Sequence, residues 1–371
     1  KYKNKIFIQY KDKVMSERRR RIIMTGGGTA GHVMPNIALL PELRARNYAI
    51  AYIGSEDGIE KDLIKGQHIR YYGVKSGKLR RYFSLKNFTD PFKVIHGYNQ
   101  AKKLLKKMKP DVVFSKGGFV SVPVVMAAGK LKIPVIIHES DMTPGLANRI
   151  AIKRASIVCT TFPETLKYIS EDKHPVLTGT PIREELLVGS AAAGHRFTGL
   201  SSIKPTILVM GGSTGAVALN EALHANLDAL LKKYNIVHLC GKDKADRRYD
   251  GTPGYVQYEY IDKEMKDLLA MSDMVVSRAG ANAIFEFLAL KKPNLLIPLP
   301  AASSRGDQIL NAESFEESGY SRVLYEDDIT PESLLESIEY VFNNRDAYIK
   351  NMAESEQRDA IGKIIELIES V

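Results

Sequence analysis

Tryptophan is absent and cysteine occurs only twice in 371 residues. Two thiols cannot build a disulfide framework or a four-cysteine zinc site. Cys159 and Cys240 lie in or end apolar β-like runs (SIVCTTF, NIVHLC), so both are expected to be buried, reduced thiols of a cytosolic protein. There is no D-x-D pair, no H-x-x-x-H and no C-x-x-C, which leaves a dedicated metal site without support. No metal and no cofactor is expected. Nor is there an uninterrupted apolar run approaching the ~20 residues that span a bilayer, so the chain is expected to be soluble or peripheral. The opening stretch KYKNKIFIQYKDKVMSERRRR has neither an adequate apolar region nor a small-residue cleavage site. With a methionine at Met15, residues 1–20 are expected to be a leader or extension outside the fold.

What is present is ordinary in amount and uneven in placement. Apolar content of 44% and charged content of 26% exclude a disordered or collagen-like chain, and the length predicts two domains. The net charge of +10 is concentrated: Lys75 to Lys109 holds eleven Lys or Arg against one acid, Asp90. From Arg322 onward five bases face twelve acids. A nucleic-acid-coating protein is more often basic over a whole face, so no nucleic-acid partner is expected. Among the cations of the basic segment lie Leu79, Tyr82, Phe83, Leu85, Phe88, Phe92 and Ile95, beside Arg80 and Arg81. Apolar side chains that insert, ringed by cations that attract anionic headgroups, suit an interfacial membrane site. The lower part, about 92–108, reads as a helix with a lysine face.

From Arg21 the pattern is strand, glycine loop, helix, repeated. Apolar runs RIIMT, AIAYIGS, IRYYGV, DVVFSKGG, PVIIHES, SIVCTTF and PVLTGTP alternate with helical stretches. A second set begins after Pro205: TILVMGG, NIVHLCG, YVQYEYI, DMVVSRAG, PNLLIPLP and SRVLYED. Continuous apolar runs mean strands covered on both faces, hence parallel sheets with crossover helices. The expected fold is α/β, two Rossmann-like parallel-sheet domains facing an inter-domain cleft. The expected divisions are 21–183, a small-residue linker at 184–203, and 204–345, with a long amphipathic helix at about 346–370 that packs back on the first domain.

Each half opens with a glycine loop after its first strand: GGGTAGH at 26–32 and GGSTGA at 211–216. KGGF (116–119), GTPIR (179–183) and SRAGAN (277–282) also follow strands. Five such turns at strand carboxyl ends imply an anionic, diphosphate-bearing ligand held by backbone N–H groups. Gly26, Gly28 and Gly31 satisfy G-x-G-x-x-G, the mark of an NAD-dependent oxidoreductase, but Pro35 falls in the first turns of the following helix and the acids Glu56 and Asp57 come late for ribose. His32 follows the first loop as a candidate general base. Arg183 could pair with phosphate, and Glu286 could accept from sugar hydroxyls.

In order along 21–345, GGGTAGHVMPN, KGGFVSVP, HESDMTPGLANR, GTPIREEL, GGSTGA, SRAGANAIFE and GDQILNA resemble the MurG family. The resemblance implies the GT-B fold and inverting transfer of N-acetylglucosamine from UDP-GlcNAc to the muramyl 4-hydroxyl of lipid I, forming lipid II for peptidoglycan at the cytoplasmic membrane face. It implies as partners those two substrates, an anionic membrane surface and other cell-wall synthesis proteins. It places Gly28, Thr29 and Gly31 at the acceptor diphosphate, Thr29 and Gly31 reaching the donor as well, and Gly117, Gly118, His138 and Asn148 on the acceptor side. For the donor it implies Arg183, Ser213, Ala281 and Asn282 at the diphosphate, the Ile261 backbone at uracil, Glu286 at ribose and Gln308 at GlcNAc. The basic aromatic loop falls where that family places its membrane contact. Departures are Ala30, Phe119, Thr180 and Thr214, and above all Ser140-Asp141, where the family carries a neutral asparagine at the second position. Asp141 therefore joins His32 as a base candidate. A sibling lipid glycosyltransferase, an NAD enzyme and a non-catalytic membrane binder remain the alternatives.

Overall fold

The computed structural model describes residues 19–77, 86–212, 216–261, 263–301, 306–355 and 359–371, with the side chains of 86–91 left aside. The leader to residue 18, Leu79, Arg80, Arg81, Tyr82, Phe83, Leu85 and Ser213 lie outside the described residues; Phe88 lies in a helix described there by backbone alone.

The apolar runs become strands. In the first half these are β1 (Arg21–Thr25), β2 (Ala49–Ser55), β3 (Arg70–Val74), β4 (Val112–Ser115), β5 (Val135–Glu139), β6 (Ile157–Thr160) and β7 (Pro175–Leu177). They form a parallel sheet in the order β3-β2-β1-β4-β5-β6-β7. In the second half β8 (Thr206–Met210), β9 (Asn235–Leu239), β10 (Tyr255–Tyr258), β11 (Met274–Ser277), β12 (Asn294–Leu296) and β13 (Ser321–Val323) form a parallel sheet ordered β10-β9-β8-β11-β12-β13. β4, β5 and β6 are buried along their whole length, as strands covered on both faces must be.

Strand order decides where ligands go. In the first sheet the winding reverses between β1 and β4, and in the second between β8 and β11. Crevices open at the carboxyl ends of strands at such switch points. GGGTAGH therefore faces KGGF across the first crevice, and the start of the 211–216 loop faces SRAGAN across the second.

Two segments hold helix boundaries that the sequence pattern did not resolve. The small-residue stretch read as a linker forms two short helices, Glu184–Leu187 and Ala191–Thr198, the second capped by the Ser190 hydroxyl accepting from Ala193 N and closed by Gly199 at φ +72°. Its small residues hide a helical period but let its backbone close on the helix Met265–Met271: Gly189 and Gly194 abut the Lys266 and Asp267 carbonyls. The C-terminal stretch is two helices, Arg345–Glu354 and Ala360–Glu369. The second returns to the first half, burying Ile364, Ile365 and Ile368 among Ile22, Met24, Leu40 and Leu43. At about 1.5–3 kcal/mol per buried side chain, that return clasps the end of the chain to its beginning. Between the halves, Phe162 packs edge-on to Phe285 at 5.3 Å and Phe315 at 6.3 Å.

Candidate active site

The first glycine loop is held from below. Tyr52, fully buried, donates its hydroxyl to Gly26 O (2.9 Å), and Asn36 Nδ2 donates to the same hydroxyl (3.0 Å) and to Thr25 O (3.3 Å). Glu60, buried at the start of the helix Ile59–Lys65, accepts from Gly28 N (3.2 Å), Ser55 N (2.9 Å) and Ser55 Oγ (2.5 Å). The Gly28 N–H, one of the expected cradle amides, thus donates to a carboxylate of the chain. His32 ends a one-turn 3-10 helix, Ala30–His32, just ahead of the Pro35-containing helix Met34–Ala38. A Cβ placed on Gly118 would lie 3.0 Å from His32 Cδ2, so the first loop and the KGGF loop touch.

Behind that contact the ends of β4 and β5 join in a buried polar cluster. Lys116 Nζ lies 2.6 Å from His138 Nδ1 and donates to Ser140 Oγ. His138 Nε2 meets Gly179 O at 2.8 Å. Glu139 accepts from Asn148 Nδ2 (2.8 Å) and Asp141 N (2.9 Å), and a Cβ on Gly117 would lie 2.7 Å from Asn148 Oδ1. Asn148 Oδ1 is buried without a hydrogen-bond partner among the described residues. Burial and the neighbouring Asp141 raise the Glu139 carboxyl above its ordinary range. Thus Gly117, Gly118, His138 and Asn148, expected on the acceptor side, form one connected patch with His32, the base candidate. Glu60, Lys116 and Glu139 were missed. The signal for Lys116 was a lone cation ending the buried run VVFS, read only for its glycines.

On the other side, a cavity of about 230 Å³ is lined by Ala30 and Met34 from the first half and by Arg183, Met210, Tyr260, Ile261 and Glu286. Burial pushes the Glu286 carboxyl up to about 7, against the opposing pull of Arg183. Arg183 pairs with Glu185 at 2.7 Å, while its Nε is buried without a hydrogen-bond partner among the described residues. Ala281 and Asn282 begin the helix Ala281–Leu290, and Asn282 Nδ2 donates to Gly31 O at 3.0 Å across the cleft. Thr143 Oγ1 and Asp307 Oδ1, 3.4 Å apart, make a second crossing. Gln308 sits beside that crossing, its Oε1 accepting from Leu299 N at 3.1 Å, rather than in the cavity wall. A larger groove of about 660 Å³ opens at the amino-terminal end of the first sheet, lined by Arg19, Arg21 and Arg70, away from both switch points. Among the described residues no group of three His, Cys, Asp or Glu side chains is arranged to hold a metal ion.

This geometry has known counterparts. The glycosyltransferase family 28 N-terminal domain matches residues 22–160, and the family's C-terminal domain matches 206–367. The chain is 62% identical over 349 residues to the UDP-N-acetylglucosamine--N-acetylmuramyl-(pentapeptide) pyrophosphoryl-undecaprenol N-acetylglucosamine transferase of Lachnospira eligens, covering 94% of this chain and 98% of that protein. It is 59% identical to the protein of the same name from Lachnoclostridium phytofermentans, over 95% and 99% of the two chains. The crystal structure of Acinetobacter baumannii MurG superposes with a TM-score of 0.73 at 26% identity, covering 95% of this chain and all of that one. The glycosyltransferase of kitacinnamycin, at 16% identity and a TM-score of 0.74, shares the fold. The chain belongs to glycosyltransferase family 28 and, within it, to the MurG family.

Proposed function

We propose that the protein transfers N-acetylglucosamine from UDP-GlcNAc to the 4-hydroxyl of the muramyl sugar of lipid I, giving lipid II and UDP. The observation that carries this reading is the facing of two switch-point crevices, bridged by Asn282 and Gly31, in a chain 62% identical to an enzyme of that name. The acceptor hydroxyl loses its proton to a base, its oxygen forms the new bond at the anomeric carbon, and the bond to UDP breaks with inversion. Positioning two substrates across a closing cleft supplies most of the advantage such a displacement needs. The amides at the start of Ala281–Leu290 and the Arg183 guanidinium take the charge of the leaving diphosphate. The Ile261 backbone reads uracil, Glu286 holds the ribose and Gln308 the GlcNAc hydroxyls. Incubation with UDP-GlcNAc and a lipid I analogue should add one N-acetylhexosamine to the acceptor by mass spectrometry; no gain overturns the reading.

A carboxyl pushed up to about 7 accepts two ribose hydroxyls through both oxygens when ionised, whereas protonation turns one oxygen into a donor and weakens the other as an acceptor. The UDP-GlcNAc KM is therefore expected to rise roughly tenfold between pH 8 and pH 6, while Glu286→Gln has a raised and pH-independent KM. A flat KM in the unaltered enzyme removes Glu286 from the donor site.

The membrane reading rests on the helix Lys86–Met108, where Phe92 and Ile95 are 74% and 58% exposed above a lysine-rich lower half. No helix among the described residues is long and apolar enough to cross a membrane. The protein docks peripherally on the anionic cytoplasmic face, together with Leu79, Tyr82 and Phe83. Serine at both Phe92 and Ile95 is expected to weaken sedimentation with anionic vesicles by about tenfold or more, leaving transfer to a water-soluble acceptor intact. Unchanged vesicle binding refutes this.

A further inference from the structure

Lys116 is a side chain of an unusual kind, a lysine 0% exposed. Its ammonium partners are an imidazole nitrogen, His138 Nδ1 at 2.6 Å, and a hydroxyl, Ser140 Oγ. Because Gly179 O can only accept, His138 Nε2 carries the ring proton, and Nδ1 offers its lone pair to the lysine. His138 is thereby held neutral, its protonated form disfavoured by burial and by Lys116. A buried cation held by neutral groups is costly to keep, and groups of this kind concentrate at functional sites. Burial brings the ammonium down to about 7, with Glu139 and Asp141 pulling the other way.

Its position gives it a use. Lys116 directly follows β4 and begins the turn carrying Gly117 and Gly118, and a Cβ on Gly26 would lie 3.3 Å from its own. Its partners His138 and Ser140 lie on the end of β5, immediately before Asp141, whose N–H closes onto Glu139 and whose carbonyl accepts from Thr165 Oγ1 at 3.3 Å. The groups facing it are His138, Glu139 and Asp141 from β5 and its turn and Cys159 from β6, with His32 beyond the glycine turn.

Resting on the transfer reading above, we propose that Lys116 is a positioning residue for the acceptor: it fastens the 138–141 turn to the 116–118 turn, and its charge favours the proton-free form of the catalytic base. The sign is the same whether that base is His32 or Asp141. A nearby positive charge disfavours protonation of an imidazole and of a carboxylate alike.

The test is Lys116→Met, which keeps an unbranched side chain one atom shorter and without the charge, beside Ser140→Ala, which removes one hydrogen bond without touching the charge. For Lys116→Met the expected result is a fall in acceptor kcat/KM of about tenfold or more. The UDP-GlcNAc KM should stay within about twofold, and the acidic limb of the pH profile should move up by about half to one unit. Ser140→Ala is expected to lower acceptor kcat/KM about threefold or more with the acidic limb unmoved. A folded Lys116→Met whose acidic limb and acceptor kcat/KM match the unaltered enzyme overturns the proposal, leaving Lys116 a core filler. Should Lys116→Met fail to fold, Ser140→Ala at full acceptor kcat/KM overturns it equally. Absence of transfer by the unaltered protein is a different outcome, overturning the transfer reading itself.

Discussion

Alanine at His32 is expected to lower kcat by about 10²–10⁴, the range lost with a general base, while Asp141→Asn costs about tenfold or less. Both residues were candidates from the sequence; the structure favours His32 through its neighbours. His32 ends the turn whose Ala30 lines the donor cavity and whose Gly31 carbonyl accepts from Asn282 in the other half. Its ring lies against Gly118 on the acceptor side. On the proposed transfer reading, it stands where the two sugars meet. The Asp141 backbone is pinned on both sides, its N–H donating to Glu139 and its carbonyl accepting from Thr165, and none of these contacts reaches the other half. The loss at His32 corresponds to about 3–5 kcal/mol of transition-state stabilisation. It should appear in kcat with little change in either KM, since the proton moves only as the new bond forms. Measuring kcat and both KM values for the two variants decides it. Full kcat in His32→Ala with a collapse in Asp141→Asn transfers the role to Asp141.

The fold was legible because parallel strands are buried on both faces and so appear as unbroken apolar runs. RIIMT, PVIIHES and DMVVSRAG each become a strand leading into a turn of the cleft. Strand order was not legible, and order is what sets GGGTAGH beside KGGF. The short helices of the 184–203 stretch were hidden because Gly194 and the alanines of SAAAGHRFT weaken the helical period while enabling close approach, and the break between Glu354 and Ala360 carries no proline to mark it. In the candidate site, the residues of the glycine loops were legible from their turns. Lys116 and Glu60 were not, because a charge in a sequence reads as solvated surface unless its buried partners are known. Glu60 shows this well, since Ser55 and Gly28, which bind it, come from two different strand ends.

Gly118→Ala is expected to abolish measurable transfer, a loss above about 100-fold, and to lower the melting temperature, although it adds one methyl group. Gly118 has φ +79°, a left-handed conformation that costs a side-chain-bearing residue about 1–2 kcal/mol. Its new Cβ would fall inside contact distance of Gly27 O and 3.0 Å from His32 Cδ2. Neither side can yield freely. Gly118 O is pinned by Ser121 N (3.1 Å) and Ser121 Oγ (2.8 Å), and Gly27 is backed by the Glu60 carboxyl, 2.5 Å from where its own Cβ would stand. The remaining movement is a shift of the first loop together with His32, and displacements of about 1 Å at a reacting centre cost about 10²-fold. Gly280→Ala is the matched control, placed at the SRAGAN turn with φ −68° and, among the described residues beyond its chain neighbours, no atom within 4 Å of the added Cβ. It is expected to melt within about 2 °C of the unaltered protein, since an unstrained glycine-to-alanine change is worth at most about 1 kcal/mol. Equal melting temperatures and equal kcat for the two variants would show that the contact between the two loops does not set the geometry of transfer.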